Sequence, residues 1–374
     1  MFAHIPRWLR IVVYVQAALV IAVPLGGWLL QKQQEESQAR QFPPPGKLVD
    51  VGGHRLHIYC LGQASEKPTV VFNADSGDSG LVFRKVQEQT AAFTRSCAID
   101  RAGFGWSDPG LDDRGIVTTA KELHAALAAA GEKGPYVLVG HGIGALQMLG
   151  FAGLFDADTK AAVLLDPTPP ACLKDRFDGI VQSADPTYQA AIKEKLDEVI
   201  AERGACPPGE GGTQLYGWLA RIGMVRALAG RNFDPTSPSP DMLEMHRALK
   251  LRTSHADAVV QESTTCYQGL PEAQSALSRW TSKPLAILTR GRMGSFVEDQ
   301  EFLTRRGDAT LQAYEQAQLA YLKHAHQQMA EAAHGSQSVA GGSAHYVMLS
   351  EPELVVNTIR DVWSRSVAGN EAAH

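Results

Sequence analysis

The chain has 374 residues, 44% of them hydrophobic, enough for one large globular domain with room for an inserted cap. Its formal net charge is −5 and it carries no long basic run, which argues against nucleic acid as a partner.

Residues 1–10 carry Arg7 and Arg10 and lead into Ile11–Leu30, which holds no charge. At the α-helical rise such a run spans about 30 Å, the thickness of a bilayer core. Trp8 and Trp28, near its two ends, suit the interfacial layers. The rival reading is a cleaved secretory signal. Against it stand the length of the run and the apolar Gly26-Gly27-Trp28-Leu29-Leu30 where a small-residue cleavage site belongs. The expectation is a single-pass transmembrane anchor over 11–30, with 1–10 cytoplasmic. The globular body then lies outside, in the periplasm if the source is bacterial. Lys32, Arg40 and Lys47 on the far side dilute the charge asymmetry that sets this orientation.

Residues 31–46, polar and ending in Pro43-Pro44-Pro45-Gly46, read as a linker. The body begins at Lys47. Val49-Asp50-Val51 and His54–Cys60 flank Gly52-Gly53 as a hairpin. Strands follow at Pro68–Phe72, Ser96–Asp100 and Ala162–Asp166, with helices predicted over Val82–Phe93 and Thr118–Ala130. This alternation argues for a mostly parallel sheet covered by helices on both faces. From 168 to 282 the strand rhythm stops. Helical patterns at Tyr188–Glu202, Leu215–Leu228 and Met242–Glu262 read as a cap over the carboxyl edge of the sheet, where open α/β sheets bind ligands. The core resumes over 283–374, with a strand at Pro284–Thr289, a helix over Leu311–Ala333, a glycine-rich strand around Gln337–Ser343 and a last helix over Pro352–Val367.

The most informative stretch is Tyr136-Val137-Leu138-Val139-Gly140-His141-Gly142-Ile143-Gly144-Ala145. A short apolar strand runs into a turn of small residues and then into a helix carrying Leu146, Leu149, Phe151 and Leu154. That is the strand–turn–helix setting of the G-x-S-x-G nucleophile elbow. Gly140 and Gly144 are the outer glycines, but position 142 is glycine where the serine belongs.

Together with Asp100-Arg101-Ala102-Gly103-Phe104-Gly105-Trp106-Ser107, the segment 44–57 and Gly342-Ser343-Ala344-His345, this stretch resembles the α/β-hydrolase superfamily, near its bacterial membrane-anchored esterase- and lipase-like members. The resemblance covers 43–167 and 283–367. It implies an α/β fold with a mostly parallel eight-stranded sheet and a helical cap. It also implies a nucleophile, a base, an acid and an oxyanion hole. His345 matches the base. Asp166, at the end of the sixth strand, is the favoured acid; Glu298 and Asp299 are the alternatives. The oxyanion donors fall at the N–H groups of Ser76 and Ile143. His324, His326 and His334 read as surface or packing residues, and no metal-ligand set or cofactor motif is evident.

Two positions depart from the family pattern. Gly142 cannot attack a substrate, and Asp75 replaces the glycine expected beside Ser76. A carboxylate there opposes the negative charge that an oxyanion hole stabilises. Three readings follow. In the first the chain is a pseudo-hydrolase, a non-catalytic anchored domain binding a ligand or a membrane-protein partner. In the second it is a serine esterase or lipase acting through Asp166 and His345, with its serine replaced in this chain. In the third Asp75, Ser76 or Ser79 acts beside His345. The first is favoured. A small apolar or ester-like ligand suits the apolar cap helices, which equally suit a packed core. The family's strand order also implies that Cys60 lies near Cys97, and among Cys172, Cys206 and Cys266 a second bridge is open.

Overall fold

A parallel strand buried on both faces has to be apolar throughout, and Val70-Val71-Phe72, Val137-Leu138-Val139 and Ala286-Ile287-Leu288 meet that demand. In the computed structural model, which describes residues 6–111, 113–203, 213–229, 239–265, 268–280, 283–293 and 308–371, they lie inside an eight-stranded sheet. Its strands are β1 (Lys47–Asp50), β2 (Arg55–Leu61), β3 (Thr69–Asn73), β4 (Ser96–Asp100), β5 (Tyr136–His141), β6 (Thr159–Leu165), β7 (Leu285–Arg290) and β8 (Ser336–Ala340). They are ordered β1-β2-β4-β3-β5-β6-β7-β8. β1 pairs antiparallel with β2, and β2 with β4; the remaining pairs are parallel.

The helices among the described residues are α1 (Arg7–Gln41), α2 (Arg84–Thr90), α3 (Ile116–Ala130), α4 (Ile143–Leu154), α5 (Leu173–Ser183), α6 (Pro186–Arg203), α7 (Thr213–Arg221), α8 (Met224–Ala229), α9 (Leu243–Lys250), α10 (Thr253–Thr265), α11 (Leu270–Ser278), α12 (Asp308–Ala332), α13 (Val347–Ser350) and α14 (Pro352–Glu371). Residues of α3, α4 and α11 bury one face of the sheet, and those of α2 and α14 bury the other. All of α5–α11 falls between β6 and β7. Where the sequence predicts one helix over Leu215–Leu228, Gly223 at φ +72° breaks it into α7 and α8. A turn at Leu251–Arg252 likewise separates α9 from α10.

The segment 31–41, expected as linker, is instead the continuation of α1. Gln31, Glu35 and Gln38 recur at helical spacing and meet the cap on one face. Gln31 Nε2 donates to the Leu251 carbonyl at 2.8 Å, and Glu35 Oε1 accepts from the N–H and hydroxyl of Thr253 at 2.6 and 2.8 Å. Arg226 of α8 donates to the side-chain oxygens of Gln31 and Gln38 at 2.8 and 2.9 Å. The chain then turns, and the Phe42 carbonyl accepts from Trp106 Nε1 at 2.9 Å. By length and composition α1 can cross a membrane, and the apolar window within it is exposed.

Adjacent positions of β2 and β4 bring Cys60 and Cys97 to a Cα separation of 4.1 Å, and the two form a disulfide. Cys172 is disulfide-bonded as well; Cys206 and Cys266 lie outside the described residues. The Cys60–Cys97 bridge closes a separation of 37 residues. Replacing both by serine is expected to lower the stability of the fold by about 3–4 kcal/mol, read as a shift of the urea midpoint. An unchanged midpoint would count against the bridge.

Candidate active site

Side chains that act together in an open α/β sheet come from the carboxyl ends of its strands, near the point where strand order reverses. Here β3 leads to Asp75, β5 to Gly142, β6 to Asp166 and β8 to His345. The elbow keeps its tight turn. Gly142 sits at φ +55° and ψ −121°, and α4 starts at the next residue. A Cβ at Gly140 or Gly144 would run into the neighbouring backbone.

The volume that a side chain at position 142 would fill is occupied by Asp75. A Cβ built on Gly142 falls inside the Asp75 carboxyl group. Asp75 Oδ1 accepts from the Ile143 N–H at 2.6 Å, taking the elbow's oxyanion donor. Its Oδ2 lies 2.7 Å from His345 Nε2. His345 Nδ1 lies 2.6 Å from Asp166 Oδ2, so the imidazole bridges two carboxylates. Ser76 lies at the exposed tip of the same loop, where Gly77 at φ +74° permits the turn.

Asp166 is held in turn by Arg290, whose Nε donates to Oδ2 at 2.6 Å and whose backbone N–H reaches Oδ1 at 3.2 Å. Its backbone sits at φ +42°, a left-handed conformation that strains a non-glycine residue. Beneath the histidine, neutral His141 donates from Nε2 to the His345 carbonyl at 3.0 Å, with the two rings 4.2 Å apart.

Burial and the Arg290 guanidinium oppose a charge on His345, but hydrogen bonds to Asp166 and Asp75 outweigh them and raise its pKa to about 9. Burial also opposes the charge on both aspartates. His345 nevertheless holds Asp75 below the usual carboxylate range, and Arg290 with His345 does the same for Asp166. Burial pushes His141 down to about 4. At neutral pH the array is therefore carboxylate, imidazolium, carboxylate and guanidinium.

The loop bearing Asp75 is fixed by a residue the sequence reading did not assign. Arg101, fully buried, donates to the carbonyls of Ala74 and Asp75 at 2.6 and 2.9 Å. It also pairs with Glu262 of α10 at 3.0 Å. Lys250 of α9 pairs with buried Asp78 at 3.0 Å. Arg101 lies in a motif the resemblance already marked, whereas Glu262 and Lys250 carry no local signature. Of the other candidates, Glu298 and Asp299 lie outside the described residues. His326 is buried between Thr289 and the Pro167 carbonyl, while His324 and His334 are exposed. Asp75, His141 and His345 bring ligand atoms within 4.8 Å of one another. The 2.7 Å contact between Asp75 and His345 is closer than two ligands of one cation stand, so a metal there requires that pair to part.

Comparison with known proteins agrees with this architecture. The model of the alpha/beta hydrolase family matches residues 75–358. An uncharacterised Bacillus subtilis protein, YbdG, is 30% identical over 160 residues, which is 42% of this chain and 49% of that protein. An uncharacterised Schizosaccharomyces pombe protein is 40% identical over 159 residues, 35% of this chain and 30% of that one. The matches thus span half or less of these curated relatives. Among solved structures, a haloalkane dehalogenase variant from Bradyrhizobium elkanii aligns with 88% of this chain and 99% of its own, with a TM-score of 0.60 at 16% identity. The Cif epoxide hydrolase from Acinetobacter nosocomialis aligns with 90% and 96%, with a TM-score of 0.59 at 15% identity. The enol-lactonase from Burkholderia xenovorans LB400 aligns with 85% and 100%, with a TM-score of 0.56 at 13% identity. At these identities the likeness is one of fold.

Two predictions follow from the geometry. Gly142→Ser alone is expected to stay unlabelled by a fluorophosphonate probe, because Asp75 fills the serine's space and holds its oxyanion donor. Labelling is expected to require Asp75→Gly as well; a reactive single variant would show that Asp75 yields its place freely. The second concerns pH. The pKa of His345 in the folded chain, about 9, lies above the ordinary value of about 6.5. Its contribution to stability is therefore full below about pH 6.5 and is lost as pH rises towards about 9. The thermal midpoint is expected to fall across that window and Asp75→Asn to flatten the fall. A midpoint that is level in the unaltered chain would return His345 to the ordinary range.

Proposed function

The chain belongs to the alpha/beta hydrolase family, and we propose that it is a membrane-anchored member in which the Asp75 carboxylate has taken over from serine as nucleophile. The observation that carries this reading is the place of that carboxylate, inside the volume of the missing side chain and bonded to both Ile143 N–H and His345. The packing of α1 on the cap supports an anchor that stays attached, since Gly27 and Gln31 both take part in it.

The chemistry of the pocket selects the substrate class. Acyl transfer needs a free oxyanion donor, and Asp75 Oδ1 already holds the one on Ile143. Displacement at a saturated carbon needs none in its first step. Asp75 Oδ2 forms a bond to that carbon while the carbon's bond to its leaving group breaks, and the electron pair departs with the leaving group. The product is an ester on Asp75. Esterification removes one of the two carboxylates that raise the His345 pKa, so the imidazolium loses its proton to solvent and becomes a base. Water then attacks Asp75 Cγ and its proton passes to His345 Nε2. The charge gathers on Oδ1, opposite the Ile143 N–H. Collapse expels the alkoxide, which leaves as the alcohol with the proton from His345. The acid left on Asp75 then passes the water's second proton to His345, which restores both the carboxylate and the imidazolium. Two of the structural neighbours are named for action on haloalkanes and on epoxides, both electrophilic at saturated carbon, and these are the classes to try first.

A second reading, a non-catalytic binding domain, is favoured by the charge balance of the array, in which an imidazolium cannot serve as a base until a carboxylate is lost. Challenge with 1-bromohexane and styrene oxide separates the two. The unaltered chain is expected to release bromide or diol, Asp75→Asn to release neither, and His345→Gln to accumulate an alkyl ester on the Asp75 peptide by mass. Turnover in ¹⁸O-water should place label in the Asp75 carboxylate. Turnover that survives Asp75→Asn would overturn the nucleophile. An absence of both product and adduct would leave the binding domain.

A further inference from the structure

The junction of α1 with the cap places part of the cap at a defined depth along the apolar helix. Gly27 lies three residues before Leu30, the end of the uncharged run, or about 4.5 Å along the axis. It packs so closely on the backbone of Ile222 that a Cβ there would collide with the Ile222 carbonyl. Ile222-Gly223 is the turn joining α7 to α8. If α1 lies in a bilayer, as the proposed function holds, this turn lies at the edge of the hydrocarbon.

The two helices that leave the turn are apolar on the outside. Leu215 and Trp218, three apart on α7, are 61% and 48% exposed. Met224 and Leu228, four apart on α8, are also exposed, Leu228 at 65%. Each pair shares a helix face. Trp28, on α1 beside the turn, is itself exposed, with the Lys32 ammonium 5.6 Å from its ring. An aromatic ring and a lysine at the end of an apolar helix mark the headgroup layer. The exposed apolar side chains of α7 and α8 suit the acyl boundary and Lys32 the phosphates above it, while Arg221 at the end of α7 is paired with Asp257 at 2.9 Å.

We propose that α7 and α8 lie in the interfacial layer of the membrane that holds α1, so that the cap is a second, amphipathic membrane contact. The occupant of the apolar face is lipid. The same cap continues inward, since α7 packs on α10 and α10 carries Glu262, the partner of Arg101 beneath the Asp75 loop. The bilayer and the candidate site thus stand on opposite sides of one thin helical layer, which favours a ligand that partitions into lipid.

Intrinsic fluorescence tests this in the full chain, reconstituted in phosphatidylcholine–phosphatidylglycerol vesicles with or without bromine on the acyl chains. Bromine quenches indoles that reach the acyl region. In the Trp8→Phe/Trp28→Phe protein four tryptophans remain, of which Trp106, Trp280 and Trp363 are buried in the body. Brominated lipid is expected to remove about a quarter of its emission, the share of Trp218 as the one exposed indole among them. Adding Trp218→Phe is expected to abolish that loss. Quenching of the unaltered chain with none in the double variant would overturn the proposal and assign the apolar face to a second copy or a protein partner. No quenching even in the unaltered chain would overturn the membrane anchor itself, and this inference with it.

Discussion

The 2.7 Å contact between Asp75 and the His345 imidazole can form because position 142 has no side chain. A serine there would place its Cβ inside the carboxyl group, so Gly142 and Asp75 are two halves of one arrangement. Each makes sense with the other. A glycine elbow without the aspartate would leave the histidine facing an empty space, and the aspartate with a serine elbow would be forced out. Because the carboxylate also accepts from Ile143 N–H, it fills both places that serine chemistry uses, the attacking group and the hole for the developing charge.

Such a carboxylate has to be aimed, and the aim comes from beneath and from above. Beneath it, the fully buried Arg101 ties the carbonyls of Ala74 and Asp75 to the core. Above it, Glu262 on the cap completes the guanidinium's set of partners, and Gln147 of α4 donates to the same carboxylate at 3.2 Å. A buried ion pair stabilises a fold weakly in comparison with apolar packing, but losing one partner strands a charge and is strongly destabilising. The cap and the Asp75 loop are therefore held by a common fastener and cannot shift independently. The same cap carries the docking face for α1, so the position of that helix bears on the site through α10.

The architecture was legible because parallel strands announce themselves by composition. Val70-Val71-Phe72 and Val137-Leu138-Val139 have no other economical reading, and the glycines at 140 and 144 fix the turn that follows. His345 and Asp166, the base and acid that the resemblance implies, follow the last and sixth strands, and the fold brings them 2.6 Å apart. What the sequence hid was the direction of the Asp75 side chain. Read as a residue on a loop that offers backbone N–H groups, it looked like an obstacle to the oxyanion. A one-dimensional pattern cannot show that this side chain folds back into the gap left 67 positions later by Gly142. Arg290 was hidden for a related reason: an arginine at a strand end has many possible partners, and its pairing with Asp166 depends on the register of β6 against β7. The helical course of 31–41 was missed because its polar residues suggested solvent, when three of them were spaced to meet the cap.

The charge balance of the site decides what it can do next. Asp75, His345, Asp166 and Arg290 sum to zero at neutral pH, and their mutual contacts hold both aspartates ionised and His345 protonated there. A reaction that neutralises one member upsets the sum. Forming a bond at Asp75 leaves one carboxylate facing two cations, and the cation that can shed its charge is the imidazolium, because a guanidinium does not deprotonate in this range. The histidine would thus be converted from spectator to base by the very step that makes a base necessary. In a serine elbow the histidine must be neutral before the first step; in this arrangement it must become neutral after it. In the reaction proposed for Asp75, glycine in place of serine at one turn and aspartate in place of glycine at another would reverse the order in which the same imidazole is asked to act.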